Sequence, residues 1–254
     1  MRTVTGSDAD RALDLAESVW GTRPVDGHML RALELAGSYV SVAELDGALV
    51  GMCLGIVGVQ DGHTHLHSHL AAVHPTQRRS GLGLALKRHQ REWCLEQGID
   101  SVSWTFDPLL AGNARFNLQR LGVRVDGYLP ELYGTMDDDI NRGDPSDRLL
   151  AVWDLASPRA VAALDGPLPV PDIGEAEVAV ADAGGRPQSH HTAASTRLVA
   201  TPADAVALRQ DDPELARAWR LAVREAMQAA FADGLHPVAI TSAGSYLLTS
   251  QEAS

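Results

Sequence analysis

In the first half of the chain, the run VHPTQRRSGLGLALKRHQREW sets Arg78, Gly81 and Gly83 in the order R-x-x-G-x-G, with Ser80 and Leu82 between them. Glycines at that spacing, placed between a strand and a helix, let several backbone N–H groups face one concavity at the positive end of the helix. That concavity suits a pyrophosphate, and Arg78 and Arg79 bring charge to the same place. A lone Gly-x-Gly is also an ordinary strand-to-helix turn, so the surrounding elements decide. Two commoner phosphate motifs do not fit: a dinucleotide fingerprint follows the first strand of a βαβ unit, and a P-loop requires Gly-Lys-Ser/Thr.

Just upstream, His63, His65, His67 and His69 alternate along HTHLHSHLAAV. Side chains two residues apart share a face of a strand, and histidine is matched to proton removal near neutral pH. Three other readings stand beside a base. The histidines are hydrogen-bonded or solvated members of a half-buried strand; or two or three of them bind zinc, completed by His74, His190, Asp107 or Glu131, as in a hydrolase; or a water chain moves the proton. Further along, Trp104, Phe106 and Asp107 end an apolar alternating run, where they serve the core, a turn or a cationic amine. Arg220 and Arg224, one helical turn apart, either clamp a carboxylate or are solvated helix charges.

The elements that position these residues follow from periodicity. Met1–Thr5 reads as a short edge strand and Ser7 as the start of a helix through Val19; a second helix spans about Val25–Ala36 and stops at Gly37. Asp46-Gly47 and Asp61-Gly62 then punctuate a meander of Tyr39–Leu45, Ala48–Val59 and His63–Val73. After a helix from Gly81 to about Gln97 come strand Ile99–Phe106, short helix Ala114–Leu121 and strand Val123–Tyr128, an order that predicts a parallel crossover, and then strand Leu149–Leu155. Pro158–Pro171, rich in Pro, Ala and Gly, places a domain boundary after Leu155. Beyond it, Glu177–Ala181, Arg197–Ala200, Pro237–Ile240 and Tyr246–Leu248 read as strands, Gly184–Ala194 as a surface loop, and Pro202–Asp233 as a helical tract broken at Pro213.

The chain has 254 residues, a formal net charge of -12 and two cysteines, Cys53 and Cys94. That length accommodates two domains, 1–155 and 156–254. The acidic balance argues against a nucleic-acid partner, the cysteine count against a disulfide framework, and the lack of an apolar signal core or long apolar run against a membrane. A cytoplasmic location is expected.

The stretch around Arg78–Gly83 resembles the pyrophosphate loop of the GNAT (GCN5-related N-acetyltransferase) superfamily, Q/R-x-x-G-x-G/A, which follows the fourth strand and opens the third helix. The resemblance covers about Met1–Leu155, and NARFNLQRLGV from Asn113 resembles the helix and turn that close the CoA site. SHLAAVHPTQRRSGLGLALKRHQREW, WTFDPL, YLPELYG and NRGDPSDRLLAVWDL are similar to a sparsely characterised bacterial group of GNAT proteins with a C-terminal extension. The resemblance implies an α/β GNAT fold, with a mixed, mostly antiparallel sheet and flanking helices, plus a smaller C-terminal α+β lobe. That lobe covers the acceptor site or forms a homodimer interface.

The resemblance also implies an acyltransferase that uses acetyl-CoA or another acyl-CoA, succinyl-CoA included, without a metal, and acylates a small-molecule amine or an amino acid. Ala72 and Val73 would lie along the acyl-pantetheine where the fourth and fifth strands splay apart, and Asn113 or Asn117 would bond the pantetheine unless Asn113 caps the helix. His67 stands where some members carry a glutamate base, with His69 second. Leu118 occupies the position of the usual tyrosine acid, which leaves Tyr133 or Tyr128 to reach in, or no acid at all. The missing tyrosine also keeps open an acyl-CoA sensor without turnover.

Overall fold

The computed structural model describes residues 1–3, 8–136, 138 and 140–250. Ser7 and the end of the Met1–Thr5 strand lie outside them. The chain forms two compact units, Met1–Trp104 and Thr105–Ser254.

In the first unit, strands β1 (Arg2–Thr3), β2 (Tyr39–Leu45), β3 (Ala48–Gln60), β4 (His63–Val73) and β5 (Ser101–Phe106, which runs on into the second unit) are neighbours in that order. Both Asp-Gly turns are as expected: Asp46 and Gly47 have φ of 50° and 80°, Asp61 and Gly62 51° and 80°, the pair of positive angles that matches a two-residue turn to strand twist. Helices α1 (Ala9–Trp20) and α2 (Gly27–Leu35) lie on one face. Leu13, Leu15, Ala16 and Leu30 pack there against Val40, Val42, Met52, Leu54, Leu70 and Ala72. The Asp26 carboxylate accepts from Met29 N at 2.8 Å and fixes the start of α2.

Helix α3 (Leu82–Glu96) approaches the sheet at Gly51, where a Cβ would sit 3.1 Å from Leu86 Cδ1 and 3.3 Å from Leu82 Cδ2. It forms the crossover between β4 and β5, whose pairing is parallel. Strand β6 (Arg124–Leu129) pairs antiparallel with β7 (Arg148–Asp154), and β7 stands between β5 and β6 in the strand order.

The second unit also holds α4 (Ala111–Arg115), continued by a wider π-helical stretch Phe116–Leu121, and α5 (Pro158–Asp165). The predicted linker after Leu155 therefore contains a helix. Its start is local chemistry: Ser157 Oγ accepts from Ala160 N and Pro158 fills the first turn, where a missing N–H costs nothing. Strands β8 (Glu177–Asp182), β9 (Pro187–Ser189), β10 (Thr196–Val199), β11 (Leu235–Ile240) and β12 (Tyr246–Ser250) form a sheet of order β11-β12-β10-β8-β9. β9 lies inside the stretch read as a loop. The helical tract is α6 (Ala205–Asp211) and α7 (Pro213–Ala232); it opens at Ala205 behind the cap Asp204, later than the expected Pro202, and Asp212 accepts from Leu215 N at the break before Pro213.

The composition shift at Leu155 and the division into units fall at different places. Tyr246 OH donates to Pro108 O at 2.8 Å, Arg115 Nη2 to Thr241 O at 2.6 Å, and Ile240 N to Gln119 Oε1 at 3.2 Å. These bonds fasten the 105–155 segment to the C-terminal sheet. Among the described residues no helix is long and apolar enough to cross a membrane.

Candidate active site

The glycine loop has the shape its sequence implies. After β4, residues Pro75–Gln77 make one 3-10 turn, Arg78 is extended, and Arg79 adopts a φ of 66°, a left-handed conformation that stores of order 1 kcal/mol in a non-glycine residue. Gly81, at φ 87°, is the N-cap of α3 and supplies no side-chain cap. The first-turn N–H groups of Gly83 and Leu84 therefore stay open for an anion, while Leu82 N is bonded to Ser80 Oγ. Arg78, Arg79, Ser80 and Gly81 are all exposed. An open cleft beside the loop, lined by Ala43, Val50, Gln77, Ser80 and Leu82, lies on the β2–β3 side of α3, away from the histidines.

Two irregularities shape β4. A bulge falls between the pairs Leu54↔Leu70 and Gly55↔Ser68, so His69 is an extra residue without a counterpart on β3. On its other edge β4 pairs with β5 only at Leu66↔Val102 and His67↔Ser103 among the described residues. The strands part after that, and Ser68–Val73, with Ala72 fully buried, run past the last pair. Their backbone groups on that edge are free to bond an inserted chain.

His67 sits at the last pair. It is half-buried, with Nδ1 3.4 Å from Ser103 Oγ and its ring centroid 6.4 Å from that of His69. Burial, then His69, His65 and Lys87, lower its pKa from the usual histidine value, so the neutral, proton-accepting form prevails at neutral pH. His69 is more exposed at the bulge, and burial lowers its pKa too.

On the opposite face of the same fork lies a residue the sequence reading passed over. Lys87 is 6% exposed and Trp104 7%. Lys87 Nζ donates to Ser68 Oγ at 2.8 Å and to Gln90 Oε1 at 3.0 Å and stands 3.9 Å above the Trp104 ring. Burial pushes its pKa down to about 8. The available signal was spacing: Lys87, Gln90 and Cys94 recur at i, i+3 and i+7 on the face of α3 that packs on the sheet. The unfolded chain holds the Lys87 proton up to about pH 10 and the folded chain releases it near 8, so the charged lysine costs the fold of order 3 kcal/mol at neutral pH. In urea titrations, the stability of Lys87→Met relative to wild type should fall as pH rises from 7 towards 10; a pH-independent difference would place Lys87 in a solvated setting.

The remaining predicted residues lie in the second unit. Asn113 is exposed inside α4, whose N-cap is Leu110, so it does not cap the helix. Asn117 is buried in the π-helical stretch and its Nδ2 has no hydrogen-bond partner, a donor the fold leaves open. Leu118 is fully buried. Tyr133 is exposed, with its hydroxyl 3.1 Å from Thr105 Oγ1. Tyr128 donates to Asp147, and burial and that carboxylate raise its pKa well above the usual value.

Asp107 faces two cations of its own chain. Arg220, fully buried, donates to Asp107 Oδ1 at 2.8 Å and to Asp144 Oδ2 at 2.6 Å, while Arg209 bonds both carboxylates. Arg224 clasps Asp147 at 2.7 and 2.8 Å and reaches Glu131 at 3.2 Å. Arg220 and Arg224 thus do hold carboxylates, each a different internal set. Among the described residues, no three His, Cys, Asp or Glu side chains come together to hold a metal ion, so the zinc reading finds no ligand set there.

The strand-to-helix glycine turn, the β4 bulge and the β4–β5 fork lie in a part of the chain that is similar to known proteins. Residues 11–122 match the model of the acetyltransferase (GNAT) family. Among solved structures, smu.2055 from Streptococcus mutans UA159 aligns with TM-score 0.51 and 17% identity over 61% of this chain and 98% of that one. Arabidopsis thaliana Naa50, in complex with the bisubstrate analogue CoA-Ac-MVNAL, gives 0.50 and 15% over 59% and 95%. An N-acetyltransferase from Staphylococcus aureus Mu50 gives 0.50 and 12% over 61% and 96%. At these identities the likeness is one of fold. No curated protein matches the chain.

Proposed function

We propose that the protein is an N-acyltransferase that moves an acetyl or succinyl group from CoA to the amine of a small molecule or amino acid. The observation that carries this reading is the fork: β4 leaves β5 immediately after His67↔Ser103, beside a helix entered through Gly81 with the N–H groups of Gly83 and Leu84 uncapped. A bound acyl-CoA supplies the activated thioester. The loop Arg78–Gly83 holds its pyrophosphate through backbone N–H groups and the two arginines. The free edge of β4 at Ala72 and Val73 bonds the pantetheine, and a backbone N–H there holds the developing oxyanion. His67 takes the amine proton, with His69 beside it as the alternative. Asp107, Arg220 and Arg224, each engaged with internal partners, serve the architecture of the second unit in this reading, and Tyr133 stays available at the surface. A second reading, binding without turnover, is favoured by one observation: the fully buried Leu118 offers no hydroxyl where the superfamily carries its tyrosine acid. Release of CoA in the presence of pooled amines and amino acids separates the two.

Gly83→Val tests the cofactor. The substitution sits in the first turn of α3, where valine is no worse a helix former than glycine but keeps phosphates away from the backbone. The variant is expected to retain the wild-type melting temperature without ligand and to lose CoA-induced stabilisation, which at 100 times the dissociation constant amounts to about 2.7 kcal/mol. Full stabilisation of the variant would remove the loop from the CoA site.

A further inference from the structure

Lys87 is a buried cation that meets no anion among the described residues. Its partners are the neutral Ser68 Oγ, Gln90 Oε1 and Trp104 ring. The titratable groups around it are Cys53 on β3, Cys94 on α3 and His67 on β4; none of the salt bridges of the described residues includes it. Both cysteines are buried; burial raises each pKa, which keeps them protonated and uncharged. A buried ammonium is normally paired with a carboxylate, and here it is not.

Its position is as telling as its isolation. Ser68 and Trp104 are the residues that immediately follow the last β4–β5 pair, His67↔Ser103, so the ammonium lies at the base of the fork. Because successive side chains alternate across a strand, Ser68 faces α3 and Lys87, and His67 faces the opposite side. One face of the fork carries a proton acceptor and the other a cation.

We propose that Lys87 is the group that receives the CoA sulfur when the thioester is cleaved. This rests on the acyl-CoA reading of the fork and fills the place left by the missing tyrosine. As the carbon–sulfur bond breaks, its electron pair passes to sulfur, and Lys87 Nζ, still protonated, holds the leaving thiolate as an ammonium–thiolate pair. The charge the fold leaves unanswered is then answered by the anion that the reaction produces.

The test needs no acceptor. CoA is added to the protein, binding is verified by thermal shift, and the thiol of bound CoA is titrated by its ultraviolet thiolate absorbance against desulfo-CoA as blank. An ammonium in contact lowers the pKa of the bound thiol by roughly 1–3 units from ~8.5. Lys87→Met, and Lys87→Gln as the variant that keeps a partner for Ser68, are expected to bind CoA and to return the thiol to ~8.5 or higher. A bound thiol that titrates as free CoA in the wild type overturns the proposal even if neither variant folds. A lowered pKa that survives in a folded Lys87 variant overturns it too. Absence of any CoA-dependent shift in the wild type instead sinks the acyl-CoA reading itself.

Discussion

Arg220→Ala is expected to destabilise the protein by about 3–5 kcal/mol, enough to unfold much of a marginally stable chain. Arg220 is fully buried and bonds both Asp107 and Asp144, each with a nearly buried side chain. Truncation strips these carboxylates of one of their two arginines and leaves Arg209 to balance both. The penalty is desolvated charge without a partner, much more than the net worth of the ion pairs. Urea titration followed by tryptophan fluorescence measures it, and a loss under ~1 kcal/mol would mean that water already reaches the network. The pH dependence provides an internal check. Burial pushes the Asp107 carboxyl upward, but Arg220 and Arg209 overcome it and hold the pKa well below the carboxylate range. A carboxylate depressed in this way stabilises the fold above the unfolded pKa of ~3.9 and loses that contribution as pH falls toward its folded value. The gap between wild type and Arg220→Ala should therefore narrow below pH ~4, in the same acid range where the wild type itself weakens.

This network also shows where sequence reading stops. Asp107, read as a turn or an amine contact, and Arg220, read as a carboxylate clamp or a solvated helix charge, both turn inward, and nothing in WTFDPL or in the spacing of Arg220 and Arg224 announces that Asp144 and Arg209 will meet them. Four residues drawn from distant parts of the chain form one cluster, and only tertiary contact reveals it. Local chemistry was far more legible. The two Asp-Gly turns fixed three strands because each requires positive φ at both positions, and Gly81 marked the α3 entry for the same reason. Alternation along HTHLHSHLAAV gave the strand but not the bulge at His69, since an extra residue is a property of pairing with β3. Helix α5 escaped because Pro158 and the alanines around it look like a linker when Ser157 is not recognised as its cap. Lys87 escaped because a lone lysine in a helix is ordinarily a solvated charge, and its burial depends on β4 and β5 parting above it.

His67→Gln is expected to lower the rate of acyl transfer on the order of a hundredfold or more near neutral pH, within the range that a general base supplies. CoA-induced stabilisation should change little, because the side chain acts on the acceptor and not on the pyrophosphate loop. Glutamine keeps a polar group within reach of Ser103 Oγ, which bonds His67 Nδ1 in the wild type, so local packing at the last β4–β5 pair is preserved. The pH profile gives the decisive reading. Burial and the neighbouring His69, His65 and Lys87 lower the His67 pKa, so in the wild type the acid limb of kcat/KM should lie below the ordinary histidine value of ~6.5. The variant should lose that limb. Its deficit should shrink above pH ~8, where an α-amine acceptor is already deprotonated in solution and no base is required. His69→Gln is the comparison, since His69 shares the strand but sits exposed at the bulge, without a counterpart on β3. Equal, pH-independent losses in the two variants would make both histidines structural. Full activity in His67→Gln, with the acid limb intact, would pass proton removal to His69 or to water held at the fork.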